Sequence, residues 1–116
     1  MTINRIEPGA RMSKAVVHAG TVYLAGQTAN DPKADMATQT QQVLDKIENY
    51  LQQAGTSKSN LLSAVIYVTD MRNFQAMNAV WDAWVDPANT PARATVEARL
   101  ANPELLVEIM VIAAMP

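Results

Sequence analysis

Met36, Thr40, Val43, Leu44, Ile47, Leu51 and Ala54 recur at spacings of three and four, the period of a helix that buries one stripe. Asp35 stands immediately before them, where a carboxylate can accept from free backbone N–H groups. Gly55 follows, where a helix turns left-handed to stop. A helix with a single buried stripe needs a second layer to cover it.

The flanking segments supply strands. Val16-Val17-His18, Ala19-Gly20 and Val22-Tyr23-Leu24-Ala25 read as a hairpin around a glycine, with Gly26-Gln27 ending the second strand and Asn30-Asp31-Pro32 marking a loop. Leu61 to Val68 is rich in β-branched residues and ends at Thr69-Asp70. A second helix is predicted after Asn73, with Phe74, Met77, Val80, Trp81 and Trp84 on its apolar face and Pro87 to stop it. Two strands close the chain, near Arg93–Arg99 and Leu105–Ala114, and Ile3–Ile6 adds a candidate N-terminal strand. This order predicts one α+β domain over residues 1–116, with two helices packed on one face of a mixed sheet. A sheet this small keeps a face uncovered unless another subunit covers it, which favours an oligomer.

Composition narrows the function. A formal net charge of −2 without any basic run argues against nucleic acid as a partner. With no cysteine and the single histidine His18, the chain lacks thiolate chemistry and the usual zinc or iron ligand sets, so no metal is expected. Met1 to Pro8 offers no apolar stretch suited to a signal peptide, and no segment approaches membrane-spanning length; the expected location is cytoplasmic, with no membrane partner.

Between Leu105 and Met115 every residue is apolar except Glu108. A carboxylate there is costly to bury unless paired or hydrogen-bonded, so it marks an edge position, a structural ion pair or a functional group. Alternation puts Glu108 on one face with Met110 and Ile112, and Val107, Ile109 and Val111 on the other. Arg93, at a strand entrance after Pro91-Ala92, is either a surface ion-pair residue or a bidentate carboxylate binder. The strand of Arg93 is expected to neighbour that of Glu108, so that the two form an anion clamp beside a carboxylate, suited to a small acidic substrate and a water. Asn78 interrupts the apolar face between Phe74 and Trp81, so its amide either ties the helix to a loop or points into a pocket. His18, Lys14 and Ser13 lack the surroundings of a catalyst, and the dispersed glycines do not form a phosphate loop.

Gly26-Gln27, Gln39-Thr40-Gln41-Gln42-Val43-Leu44, Ala54-Gly55, Phe74-Gln75-Ala76-Met77-Asn78, Pro91-Ala92-Arg93-Ala94-Thr95-Val96 and Val107-Glu108-Ile109 together resemble the reactive-intermediate deaminase A (RidA/YjgF) family, in its order and spacing. The Ala10-Arg11-Met12-Ser13 opening looks like a YoaB-like branch. The resemblance implies a chorismate-mutase-like fold and a homotrimer with clefts between subunits. It implies cofactor-free hydrolysis of small 2-imino and 2-enamino acids, such as 2-aminoacrylate, to 2-keto acids and ammonia. It also carries roles over to individual residues. Arg93 matches the arginine that grips the substrate carboxylate, and Glu108 the glutamate that positions the attacking water. Thr95 matches a residue whose backbone contacts substrate; Gly26 and Asn78 match pocket-lining positions. Met12 stands where archetypal members carry tyrosine and Thr90 where many carry an aromatic; both changes touch the pocket wall. They are expected to favour imines with longer or bulkier apolar side chains, such as those from leucine or methionine, over 2-aminoacrylate. A binding module that senses a small 2-keto acid in the same cleft, or a chaperone-like protein, are the rival readings.

Overall fold

The computed structural model describes residues 1–116. Its elements run β1 (Asn4–Pro8), β2 (Ser13–His18), β3 (Thr21–Leu24), β4 (Gln27–Thr28), α1 (Met36–Ala54), β5 (Leu61–Val68), α2 (Phe74–Trp84), β6 (Ala92–Glu97) and β7 (Val107–Ala114), with short 3₁₀ turns before β5 and α2. All the strands join one mixed sheet in the order β1-β2-β3-β7-β5-β6, with β4 also paired to β7. Only β5 and β6 run parallel.

The ends of α1 follow from its capping residues. Asp35 accepts the Thr38 N–H at 2.8 Å, and that hydrogen bond holds its carboxyl below the usual carboxylate range. Gly55 closes the helix at φ 94°, in the left-handed region that costs glycine nothing. The second helix ends at Trp84, ahead of Pro87, because proline disfavours helical backbone at Asp86. The Asp86 carboxylate instead organises the loop, accepting from Ala88 N, Asn89 Nδ2 and Ser59 Oγ.

One face of the sheet carries the core. Val22, Ala64, Ile66, Val107, Ile109 and Val111 are buried against Val43, Leu44, Ile47 and Leu51 of α1 and Met77, Trp81 and Trp84 of α2. The opposite face has no helix over it. Tyr23, Val96 and Met110 are 47%, 44% and 37% exposed, and Val65, Tyr67 and Ile112 beside them are half-buried. Their register confirms a shared side: Tyr23 pairs with Ile112, Met110 with Val65, and Tyr67 with both Val96 and Glu108. The predicted α+β layering is therefore observed, with an apolar sheet face left uncovered in the single chain.

The sheet departs from the sequence reading between β3 and β4. From Tyr23 to Gln27 the chain advances four positions while its partners on β7 advance only three, Ile112 to Ile109. The extra residue makes a bulge at Ala25-Gly26, so Gln27 begins a new strand rather than ending the old one. Gln27 is buried, and its side-chain amide donates to the Ala25 carbonyl at 2.9 Å, pinning the bulge from within. No helix is long and apolar enough to cross a membrane.

Candidate functional site

Glu108 projects from β7 onto the uncovered face, opposite Thr28 of β4 and Tyr67 of β5. It is half-buried and makes no ion pair; the ion pairs of the molecule are Lys58–Glu48 and Arg72–Asp70. Its room comes from the bulge. A Cβ added at Gly26 would overlap the Glu108 carboxylate and lie 3.0 Å from Cδ and 3.2 Å from Cγ. Glycine at this position is thus a matter of space, because its φ is not in the left-handed region.

That contact leads to an expected result. The overlapping atom is the free end of a flexible side chain, so Gly26→Ala should fold with little change in Tm while pushing the carboxylate aside. If Glu108 works from its present position, turnover should fall about tenfold or more, since misplacement on the order of 1 Å is enough to cost that. Thermal unfolding and kcat measured together would check it; unchanged kcat would mean that Glu108 need not sit there.

A cleft of about 420 Å³ opens beside this carboxylate, lined by Met12, Lys14, Gly26, Lys46, Asn102 and Glu108 among others. Met12 is 53% exposed at its mouth. Of the residues singled out from the sequence, Met12, Gly26 and Glu108 are therefore brought together.

Arg93, Thr95 and Asn78 lie elsewhere. Arg93 registers with Ala64, which in turn registers with the buried Val111, so it shares the helix side of the sheet. Its guanidinium lies 5.4 Å from the centroid of the Trp81 ring and 6.0 Å from that of Phe74. These cation–π contacts hold the guanidinium at the β6 edge, and it has no carboxylate partner. Asn78 lies on α2 between those two aromatic residues. Asn78 Oδ1 and Thr95 Oγ1 are buried polar atoms with no hydrogen-bond partner, an unusual condition at a purely structural position.

The expected adjacency of the Arg93 and Glu108 strands is corrected here. β5 runs between β6 and β7, and the parity of the register sends the two side chains to opposite faces of the sheet. One chain therefore holds two separate groups on opposite sheet faces: a carboxylate beside a cleft, and an arginine on the side where Asn78 Oδ1 and Thr95 Oγ1 lack partners. Thr90 is exposed in the loop before β6, on the arginine side, and does not line the Glu108 cleft.

Two contributors were given no site role from the sequence, and a third, Lys14, was considered there and set aside. Gln39 is fully buried in α1; its amide donates to the carbonyls of Pro32, Ala34 and Glu104, and its oxygen accepts the Leu106 N–H at 2.9 Å. It thereby fixes the approach of the chain to β7, two residues before Glu108. Its position three after Met36 and four before Val43 was the available signal. Lys46 donates to the Thr28 carbonyl at 2.8 Å, and burial, followed by the nearby charge of Lys14, lowers its pKa. Nothing local distinguishes Lys46 from an ordinary solvated-face lysine. Lys14, which has no special surroundings in the sequence, is half-buried in the same cleft.

Relatives share this framework throughout. The family model described as Endoribonuclease L-PSP matches residues 2–115. A RutC family protein of Haemophilus ducreyi is 46% identical over 112 residues, covering 97% of this chain and 96% of that protein. The RutC family protein YoaB of Escherichia coli is 44% identical over 114 residues, covering 98% and 99%. The crystal structure of a YjgF family member from Neisseria meningitidis superposes with a TM-score of 0.97 at 43% identity, covering 100% of this chain and 97% of that one. With a family model spanning nearly every residue and close relatives matched end to end, the chain belongs to the RidA/YjgF family.

Proposed function

We propose that this protein hydrolyses 2-imino acids, and the enamino acids that tautomerise to them, to 2-keto acids and ammonia. The reaction would run in clefts between subunits of a homotrimer. The observation that carries the reading is the pair of unsatisfied half-sites. Arg93 is an ordered cation without an anion, and Glu108 is a half-buried carboxylate without a donor. Each lacks what the other half of a substrate complex would supply. Because they occupy opposite faces of one sheet, a joint site is most simply built from two chains, the β6 edge of one against the uncovered face of the next. Covering Tyr23, Val96 and Met110 would also remove the exposed apolar surface.

The chemistry fits such a site. An iminium carbon is already electrophilic, so binding and one oriented water supply most of what is needed. Arg93 would hold the C1 carboxylate through its two-pronged fork. Glu108 would take a proton from water as the oxygen bonds to C2, giving a carbinolamine. Returning that proton to nitrogen lets the C–N bond break. Ammonia leaves as the hydroxyl proton passes to Glu108 and C2 becomes a ketone, and the departing ammonia takes that proton to leave the carboxylate free again. One water is consumed and no electrons are exchanged.

The family model's description as an endoribonuclease invites an RNA-cleaving alternative, but a chain of net charge −2 without a basic run offers little to a phosphate backbone. The test is imine hydrolysis with substrates generated in situ by an amino-acid oxidase, scored against spontaneous hydrolysis. Acceleration supports the deaminase; a protein that binds 2-keto acids without accelerating hydrolysis would be a sensor. Sedimentation equilibrium on the same sample should give a trimer, and a monomer would remove the site as drawn.

A further inference from the structure

We propose that the Glu108 cleft prefers 2-imino acids bearing a second carboxylate at the end of the side chain, held by Lys14 and Lys46. This rests on the deaminase reading and adds the substrate class.

Both lysines line the cleft that contains Gly26 and Glu108, and neither is in an ion pair. Lys46 is an ordered donor. Its Nζ is fixed on the Thr28 carbonyl at 2.8 Å, and Thr28 is the register partner of Glu108. The ammonium therefore sits beside the strand position that faces the carboxylate, with two further N–H donors to offer. Lys14 is close enough for its charge to disfavour the protonated form of Lys46. Two unpaired ammonium groups facing one partly desolvated space repel each other, and an anion between them turns that repulsion into two charge-assisted hydrogen bonds.

The far end of a substrate is the group that would meet them. With its reacting carbon at Glu108 and its C1 carboxylate on the arginine half-site, the side chain is left to run into the cleft past Met12. At about 420 Å³ the cleft has room for a side chain of several carbons. An amino-acid side chain ending in an anion ends in a carboxylate, so the class is the 2-imino dicarboxylic acids. Met12 allows the expected length, while the two lysines change the favoured end of the side chain from apolar to anionic.

The experiment compares imines made in situ from glutamate and from norvaline, equal in chain length and different in the terminal group. It uses the full-length protein and its Lys14→Gln, Lys14→Arg and Lys46→Gln variants. In parallel, calorimetry measures the Kd of 2-oxoglutarate against that of 2-oxovalerate. The expected wild-type preference for the dicarboxylic compound is about tenfold in kcat/KM and in Kd. Lys14→Gln and Lys46→Gln should bring both ratios close to one, and Lys14→Arg should largely retain them. If Lys46→Gln fails to fold because the Thr28 carbonyl loses its donor, Lys14→Gln alone decides. A wild-type ratio near one, or a full ratio retained in Lys14→Gln, overturns the proposal. Absence of hydrolysis with the 2-oxoglutarate preference intact would overturn the deaminase reading and leave the lysine site supported.

Discussion

Replacing Arg93 by alanine should lower kcat/KM for imine hydrolysis by roughly 10³-fold and leave the fold intact, because truncating one member of a desolvated charge pair typically costs 2–5 kcal/mol. The fold has little to lose. Arg93 is exposed, makes no ion pair, and contributes only its cation–π contacts with Trp81 and Phe74, worth about 0.5–1 kcal/mol at such a site. Arg93→Lys should recover little of the activity, since a point charge does not match the bidentate fork. Steady-state kinetics together with circular dichroism and a melting curve would check both variants. Near wild-type kcat/KM in a folded Arg93→Ala protein would remove Arg93 from substrate binding.

Glu108→Gln separates binding from chemistry. Glutamine keeps the length and planarity that fit against Gly26, and it abandons no hydrogen bond within the chain, so stability should hold. What disappears is the base, and the expected fall in kcat is about 10²-fold. Affinity for a 2-keto acid product should change much less, because in this scheme the C1 carboxylate is held by Arg93. The opposite pattern, weak product binding with normal kcat at saturation, would make Glu108 a binding group rather than the water-activating one.

The helices were legible because their limits are set by local chemistry. Asp35 and Gly55 satisfy free backbone groups at the two ends of α1. Pro87 restricts the residue before it, so α2 ends where a purely local rule says it should. The span Leu61–Val68 is likewise a run of strand-forming side chains between turn residues, and it appears with those bounds. Strand order was not legible. β7 joins β3, β4 and β5, partners up to about ninety positions away in the chain, and the pairing depends on long-range packing of both its faces. The near-continuous apolar run of β7 suits a central strand, but it does not name its neighbours.

The site was half legible for the same reason. Glu108 stood out because a lone carboxylate in an apolar strand is expensive. Arg93 was found, but its relation to Glu108 depended on the insertion of β5 between their strands. Gly26 was named without its cause; the one-residue bulge that sets it against Glu108 exists only once β3 and β4 are paired with β7. Lys46 was invisible, since its role arises from an α1 side chain reaching the carbonyl of a strand 18 residues away.

The central claim, a site shared between two chains, is tested most directly by mixing two inactive proteins. Arg93→Ala carries an intact Glu108 half and Glu108→Gln carries an intact Arg93 half. Denatured together at equal concentrations and refolded, they should form mixed oligomers in which about a quarter of the inter-subunit sites contain both native halves, given random assembly into a closed ring. Imine hydrolysis should therefore return to about a quarter of the wild-type rate, well above either parent refolded alone. Mixed oligomers verified by native mass spectrometry that stay as inactive as their parents would contradict the shared site.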